Sequence, residues 1–295
     1  MQSALSHKGN GRESIRELAI GRINLSEIHE QAWFPKPLRD GVTDALQFIL
    51  SASYIYQPIA SHLGRAIEAT GADHLVDLCS GAGGPWMWLH RTLAQQNPSR
   101  LEICLTDKYP NIAAFERAQR ESRGAISYCA ESIDAARIPA RLPGFRTIFT
   151  SFHHFPPDQA ADILQNAIDN QQGIGIFEAP RRRLFSILST FLMPLAALLL
   201  VPFIRPFRFS LIFWTYLIPI VPFVLWFDGV LSCLRAYSPA ELSQLISRLR
   251  ANHYKWEVGE KIGWLVPITY LLGYPVQKNC QLSPIRRSVH EEANT

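Results

Sequence analysis

Between residues 74 and 179, short apolar runs alternate with longer amphipathic stretches. The runs "HLVDLC" (74–79), "LEICLTD" (101–107), "AISYCAES" (125–132), "FRTIFTSF" (145–152) and "GIGIFEA" (173–179) have the length and side chains of buried strands. Between them, "PWMWLHRTLAQQ", "NIAAFERAQRES" and "PDQAADILQNAIDN" place apolar residues every three or four positions, the spacing of a helix with one buried face. This alternation predicts a parallel sheet covered by helices on both faces, with right-handed crossovers. Ligands of such sheets bind at the carboxyl ends of the strands.

The flanks differ. Residues 1–12 are expected to be disordered, and 13–70 carry three helical stretches, "ESIRELAIGRI", "PLRDGVTDALQFILSAS" and "QPIASHLGRAIEATG". After the fifth strand come two stretches without a charge, 184–204 and 209–227, joined by Arg205, Pro206, Phe207 and Arg208. Each is close to the roughly 20 apolar residues that cross a bilayer. The chain must return to finish the sheet, so both ends lie on one side and the pair forms a hydrophobic hairpin. Two spans are favoured, with Arg181, Arg182 and Arg183 kept cytosolic. Arg205 and Arg208 in the distal turn oppose that polarity, and Pro194, Pro202, Pro219 and Pro222 interrupt the helices. An interfacial hairpin is the alternative. The soluble pattern then resumes: Ser238 stands three residues before Glu241, the signature of a capping box. "KWEVGEKI" and "LVPITYLLGYP" read as two last strands.

The domain plan is a helical cap (1–70), a core (71–180), a hydrophobic insertion (181–234), completion of the core (235–275) and a flexible tail (276–295). The insertion predicts a membrane partner through 184–227, with the core in the cytoplasm against the cytoplasmic face. No secretory signal is seen in the polar start. The formal charge of +4 lacks the basic stripe that nucleic acid requires. Five cysteines without a CxxC argue against a disulfide framework or structural zinc site, and no metal ligands are assigned. The pattern does not set the oligomeric state.

The chemistry concentrates in "HLVDLCSGAGGPW" (74–86). Glycines after a strand permit a tight turn and close backbone approach to a ligand. A dinucleotide fingerprint requires a third glycine where Trp86 stands, and no GK[ST] follows for a P-loop. The segment resembles the first motif of class I S-adenosylmethionine-dependent methyltransferases, an acid at the end of strand one and then G-x-G. Here these are Asp77, Gly81 and Gly83, with Cys79 where the family most often has glycine. Three further segments fit in order: Asp107 in "LTDKYPN", Asp134 in "DAARIP" and Ser151 in "TSFHHF".

The resemblance implies a Rossmann-like, doubly wound, seven-stranded sheet with S-adenosylmethionine as cofactor. It implies cofactor contacts from Asp77, Cys79, Ser80, Gly81, Gly83, Asp107, Asp134 and Ser151. Asp77 would hold the amino-acid end, Asp107 the ribose hydroxyls and Asp134 the adenine, with Glu131 a rival to Asp134. His153 and His154 are candidate general bases, the alternative being that they shape the pocket. Glu178 is a third catalytic candidate, the alternative being an ion pair with Arg181–Arg183. Tyr54 and Tyr56 either cover the cofactor or simply pack. The expected function is methyl transfer to a hydrophobic small molecule or lipid. A membrane-associated binding or assembly factor without methylation is the alternative, and a nicotinamide-dependent reductase is disfavoured by Trp86.

Overall fold

In the computed structural model, the described residues are 21–96, 101–205, 207–251, 253–263 and 266–276. The expected disordered start, most of "ESIRELAIGRI" and the tail beyond 276 lie outside them. Seven strands form one sheet: β1 (His74–Leu78), β2 (Glu102–Asp107), β3 (Ile126–Ser132), β4 (Phe145–Phe149), β5 (Ile174–Glu178), β6 (Tyr254–Ile262) and β7 (Pro267–Pro275). Their order is β3-β2-β1-β4-β5-β7-β6. The first five strands are parallel, while β7 runs antiparallel to β5 and to β6. The Rossmann-like sheet expected above is therefore the one observed. Its direction of winding reverses between β1 and β4, which opens a crevice at their carboxyl ends.

Local chemistry sets the helix ends. The cap helix α1 (Lys36–Ala52) has proline in its first turn, where the missing N–H costs nothing. Helix α2 (Ala60–Thr70) stops at Gly71 in the left-handed region. Helix α3 (Trp86–Gln96) follows the glycine turn. Asn111 caps α4 (Ile112–Glu121) by accepting from the Ala114 N–H. Helix α5 (Pro157–Asp169) also starts on proline. Ser238 and Glu241 form the expected capping box of α10 (Pro239–Ile246).

Two apolar layers sandwich the sheet. Alternation along β4 sends Phe145 and Phe149 to one face, with Leu63, Leu89 and Phe115 of the helices. It sends Ile148 to the other face, with Ile163, Leu164, Leu242 and Leu245.

The hydrophobic insertion folds as α6 (Leu184–Thr190), α7 (Met193–Leu200), α8 (Phe209–Ile212) with a π-turn to Leu217, and α9 (Ile220–Arg235). Among the described residues, only Leu184–Phe203 is long and apolar enough by itself to cross a membrane, and the second arm is bent by 74°. Prolines stand at the breaks: Pro194 opens α7 and Pro219 precedes α9. The insertion packs on α1 as a third apolar core, including Val42, Ile49, Ala197, Val201 and Val224.

The far turn of the insertion is held to the rest of the fold. Arg208, at the far turn, pairs with Asp44 of α1, and the Arg205 carbonyl accepts from Arg117 of α4. The turn is thus fastened to α1 and α4, close to the ends of the insertion. The insertion lies across the domain as a cap and leaves one apolar side uncovered.

Candidate active site

The turn after β1 takes left-handed backbone at Cys79 (φ 56°), Gly81 (φ 55°), Gly83 (φ 103°) and Gly84 (φ 51°). Glycine adopts this region freely, whereas Cys79 is held there at a cost. Burial pushes the Cys79 thiol up, so it stays neutral. Asp77 is buried beneath the turn. It accepts from Ser80 Oγ at 2.6 Å and Thr147 Oγ1 at 2.6 Å. Burial nonetheless raises Asp77 to about 6, because two hydroxyl donors replace only part of the lost hydration. Ser80 also receives the Thr106 N–H at 3.2 Å, tying the turn to β2.

Asp107 fastens the turn from the neighbouring strand. It accepts the Gly81 N–H at 2.8 Å and the Tyr109 N–H at 2.7 Å, one on each oxygen. A carboxylate has about four acceptor positions, so two remain for outside donors. Helix α1 lies over this edge. Thr43 is 3.9 Å from where a Gly81 side chain would begin, and Gln47 reaches the Gly84 carbonyl at 3.4 Å. Tyr54 and Tyr56, which either cover the cofactor or pack, follow α1 in the chain. Tyr56 is fully buried and bonds Thr150 Oγ1, and Tyr54 is exposed beside Trp88. Trp86, where a third glycine would stand, is fully buried against Phe149.

After β3, Asp134 accepts the Ala136 N–H at 2.9 Å and lies 3.8 Å from Lys108 Nζ. Its rival Glu131 is paired with Arg141.

After β4 the chain enters a short turn carrying Ser151, His153 and His154. Glu178, at the end of β5, accepts the Ser151 N–H at 3.0 Å and the Phe152 N–H at 2.7 Å. Its other oxygen is 2.5 Å from His153 Nδ1. The ion pair weighed for Glu178 is not formed. Arg181 and Arg183 turn to Glu260, and Arg182 turns to Glu241. Glu178 positions the β4 turn and is fully engaged in doing so.

The two histidines meet side chains that the sequence reading did not assign. Glu27 Oε1 is 3.2 Å from His153 Nε2, and Glu27 Oε2 is 3.4 Å from His154 Nε2. Glu30 Oε1 is 3.0 Å from His154 Nδ1. Arg235 of α9 contacts Glu30 at 2.9 Å, and Ser232 donates to Glu27 at 2.7 Å. His29 rests on Asp228 at 2.8 Å. Burial disfavours charge on His154, but Glu27 and Glu30 outweigh it and push His154 up to about 10. Glu178 likewise raises His153 against its burial. His154 is thus already protonated at neutral pH, and His153 is held by Glu178, so neither ring is a free base.

The described structure therefore brings most of the expected residues to one edge. Asp77, Ser80, Gly81, Gly83, Asp107, Ser151 and the histidines all follow the carboxyl ends of neighbouring parallel strands. The Ser80 and Ser151 hydroxyls are spent inside the protein, Ser151 Oγ donating to the Phe149 carbonyl. Glu27, Glu30, Asp228 and Arg235 were missed. Their only signals were a His between two acids in "LSEIHEQ" and charges interrupting the apolar run in "FDGVLSCLR".

No protein-family model matches the chain, and no curated protein matches it. Among solved structures, it is similar to the plantazolicin methyltransferase BpumL in complex with SAH, at 12% identity and a TM-score of 0.48 over 84% of this chain and 94% of that one. It is similar to a putative O-methyltransferase from Nostoc punctiforme, at 15% identity and a TM-score of 0.44 over 78% of this chain and 59% of that one. It is also similar to human N-acetylserotonin methyltransferase in complex with SAM, at 14% identity and a TM-score of 0.45 over 79% and 56%. The chain spans little more than half the length of the last two.

Proposed function

We propose that the protein is an S-adenosylmethionine-dependent methyltransferase whose acceptor is a hydrophobic small molecule or a lipid, met at the cytoplasmic face of a membrane. The observation that carries the cofactor reading is Asp107. Its carboxylate is fastened to a left-handed glycine turn at the reversal point of the sheet, with two acceptor positions left over. Vicinal hydroxyls of a ribose suit such an acceptor. Gly81, Gly83 and Gly84 give the backbone approach that the amino-acid end requires, above Asp77. Asp134, at the next strand end, is the acceptor for the adenine amine.

When bound, the cofactor supplies an electrophilic methyl group that an acceptor nucleophile takes by in-line displacement. The chain's contribution is orientation, which can account for several kcal/mol of barrier reduction. Glu178 fixes the β4 turn, and α1 shields the glycine turn from water. The acceptor class rests on the uncovered side of the insertion. Phe185, Leu188, Leu192, Leu195, Leu199 and Phe203 are all more than half exposed, and together they form an apolar surface that suits a lipid interface.

Calorimetry with S-adenosylmethionine tests the cofactor. The wild type should bind, and Asp107→Ala should lose about 3 kcal/mol, or roughly 100-fold, for two lost charge-assisted bonds. A melting curve for the variant controls for the turn it also anchors. One observation favours the second reading, a membrane-bound assembly factor: both ring nitrogens of His153 and His154 are engaged, which leaves no free base. That reading predicts no turnover when radiolabelled cofactor is incubated with membrane extract.

A further inference from the structure

We propose that Glu27, His153 and His154 form a binding site for a divalent transition-metal ion of the zinc type, with one coordination position left open. The carboxylate oxygen and the ring nitrogens of these three residues all lie within 4.8 Å of one another. Each imidazole is gripped from behind by a second carboxylate. His153 Nδ1 faces Glu178 at 2.5 Å, and His154 Nδ1 faces Glu30 at 3.0 Å. This is the arrangement by which proteins orient metal-binding histidines: the remote N–H donates to a carboxylate, and the other nitrogen points its lone pair at the ion. Here both Nε2 atoms face the same acid, Glu27, and an entering ion would displace the protons they share with it.

The spacing fits an ion. Two ligand atoms on a tetrahedral ion at about 2.0–2.1 Å are roughly 3.3 Å apart. Glu27 oxygens stand 3.2 and 3.4 Å from the two Nε2 atoms, longer than the usual hydrogen bond of about 2.9 Å.

A neighbouring trio, Glu27, His29 and Asp228, meets the same distance test. There Asp228 is already committed to the Ile28 and His29 N–H groups, at 2.7 and 3.2 Å, and acts as a turn cap. The ligand set of two imidazoles and one carboxylate matches zinc sites that keep a position for water or substrate. The side chain of His154 is 20% exposed against 1% for His153, so it is the more accessible of the two rings. An acceptor hydroxyl held there would lose its proton more readily. That last use rests on the methyl-transfer reading, while the site itself does not.

The test uses the full-length chain, stripped with a chelator and titrated with zinc against a chromogenic competitor, and separately with cobalt. One equivalent should bind, with the visible absorption of four-coordinate cobalt. His153→Gln and His154→Gln should each weaken zinc by at least 10-fold, and Glu178→Gln by about 10–100-fold through the orientation of His153. His62→Gln, on the opposite part of the chain's histidine set, should change nothing. Circular dichroism confirms that each variant is folded. Unchanged affinity in both folded histidine variants, or loss of binding with His62→Gln alone, overturns the proposal. Binding of S-adenosylmethionine by the stripped chain, measured in parallel, separates failure of the metal site from failure of the cofactor reading.

Discussion

Replacing Asp77 by Asn should change how stability depends on pH, and in a direction opposite to that of most carboxylates. In the fold Asp77 is raised from the ordinary 3.8 to about 6, chiefly by burial. The neutral acid is thus favoured on folding. Folding takes up a proton between those two values, so the group's contribution falls as pH rises through the window and levels off above 6. Below 3.8 it is neutral in both states and contributes no penalty. A rise of about two pH units corresponds to about 3 kcal/mol. Asparagine has no charge to bury, and its carbonyl still accepts from Thr147. The difference in unfolding free energy, variant minus wild type, should therefore grow by about 2.5 kcal/mol between pH 4 and pH 7.5. Urea titrations at several pH values give this difference directly, and the slopes of other groups cancel. A flat difference would falsify the claim that burial outweighs the Ser80 and Thr147 hydrogen bonds at this carboxylate. Growth in the wild type's favour would show that Ser80 and Thr147 overcompensate.

At Cys79, Gly should exceed Ala in stability by about 1 kcal/mol, because both lack the thiol and only Gly relieves the left-handed backbone. For a chain this size that is about 2 °C in Tm by calorimetry. Gly273→Ala should cost about 1–3 kcal/mol in urea melts, since the added carbon would come within 2.2 Å of the Trp256 ring on β6. Combined Phe185→Ser, Leu188→Ser and Leu192→Ser should reduce vesicle flotation about 100-fold, for about 1 kcal/mol lost at each partly inserted side chain. Retention of wild-type flotation would remove the membrane from the reading.

The sheet was legible because its strands are buried on both faces. "HLVDLC", "FRTIFTSF" and "GIGIFEA" are continuous apolar runs that end in turn residues, and each strand falls within its run. Asp77 and Asp107 could be placed because parallel strands bring their carboxyl ends together whatever the detailed packing. The path of the hairpin was not legible. Apolar length sets what could cross a bilayer, but Arg208 pairing with Asp44 is a contact between residues 164 positions apart. The histidine surroundings were hidden for the same reason. Glu27 and His153 are 126 residues apart, and no local spacing announces the pair. Glu178 shows the converse difficulty: three nearby arginines suggested a partner, yet the β4 turn offers two N–H groups and an imidazole at closer range.

The bond from the Ile23 N–H to the Leu234 carbonyl, 3.2 Å long, sets an order of events during synthesis. The sheet strands β1 to β5 and both histidines are complete by residue 178, but the bonds of the Glu27 segment to Leu234, Ser232 and Arg235 wait until α9 has left the ribosome. The first described residues to emerge are thus among the last to settle. Loop closure over such a separation is slow. An expression clone trimmed at its start to the sheet would retain the fold's architecture and lose the acid on which both histidines converge.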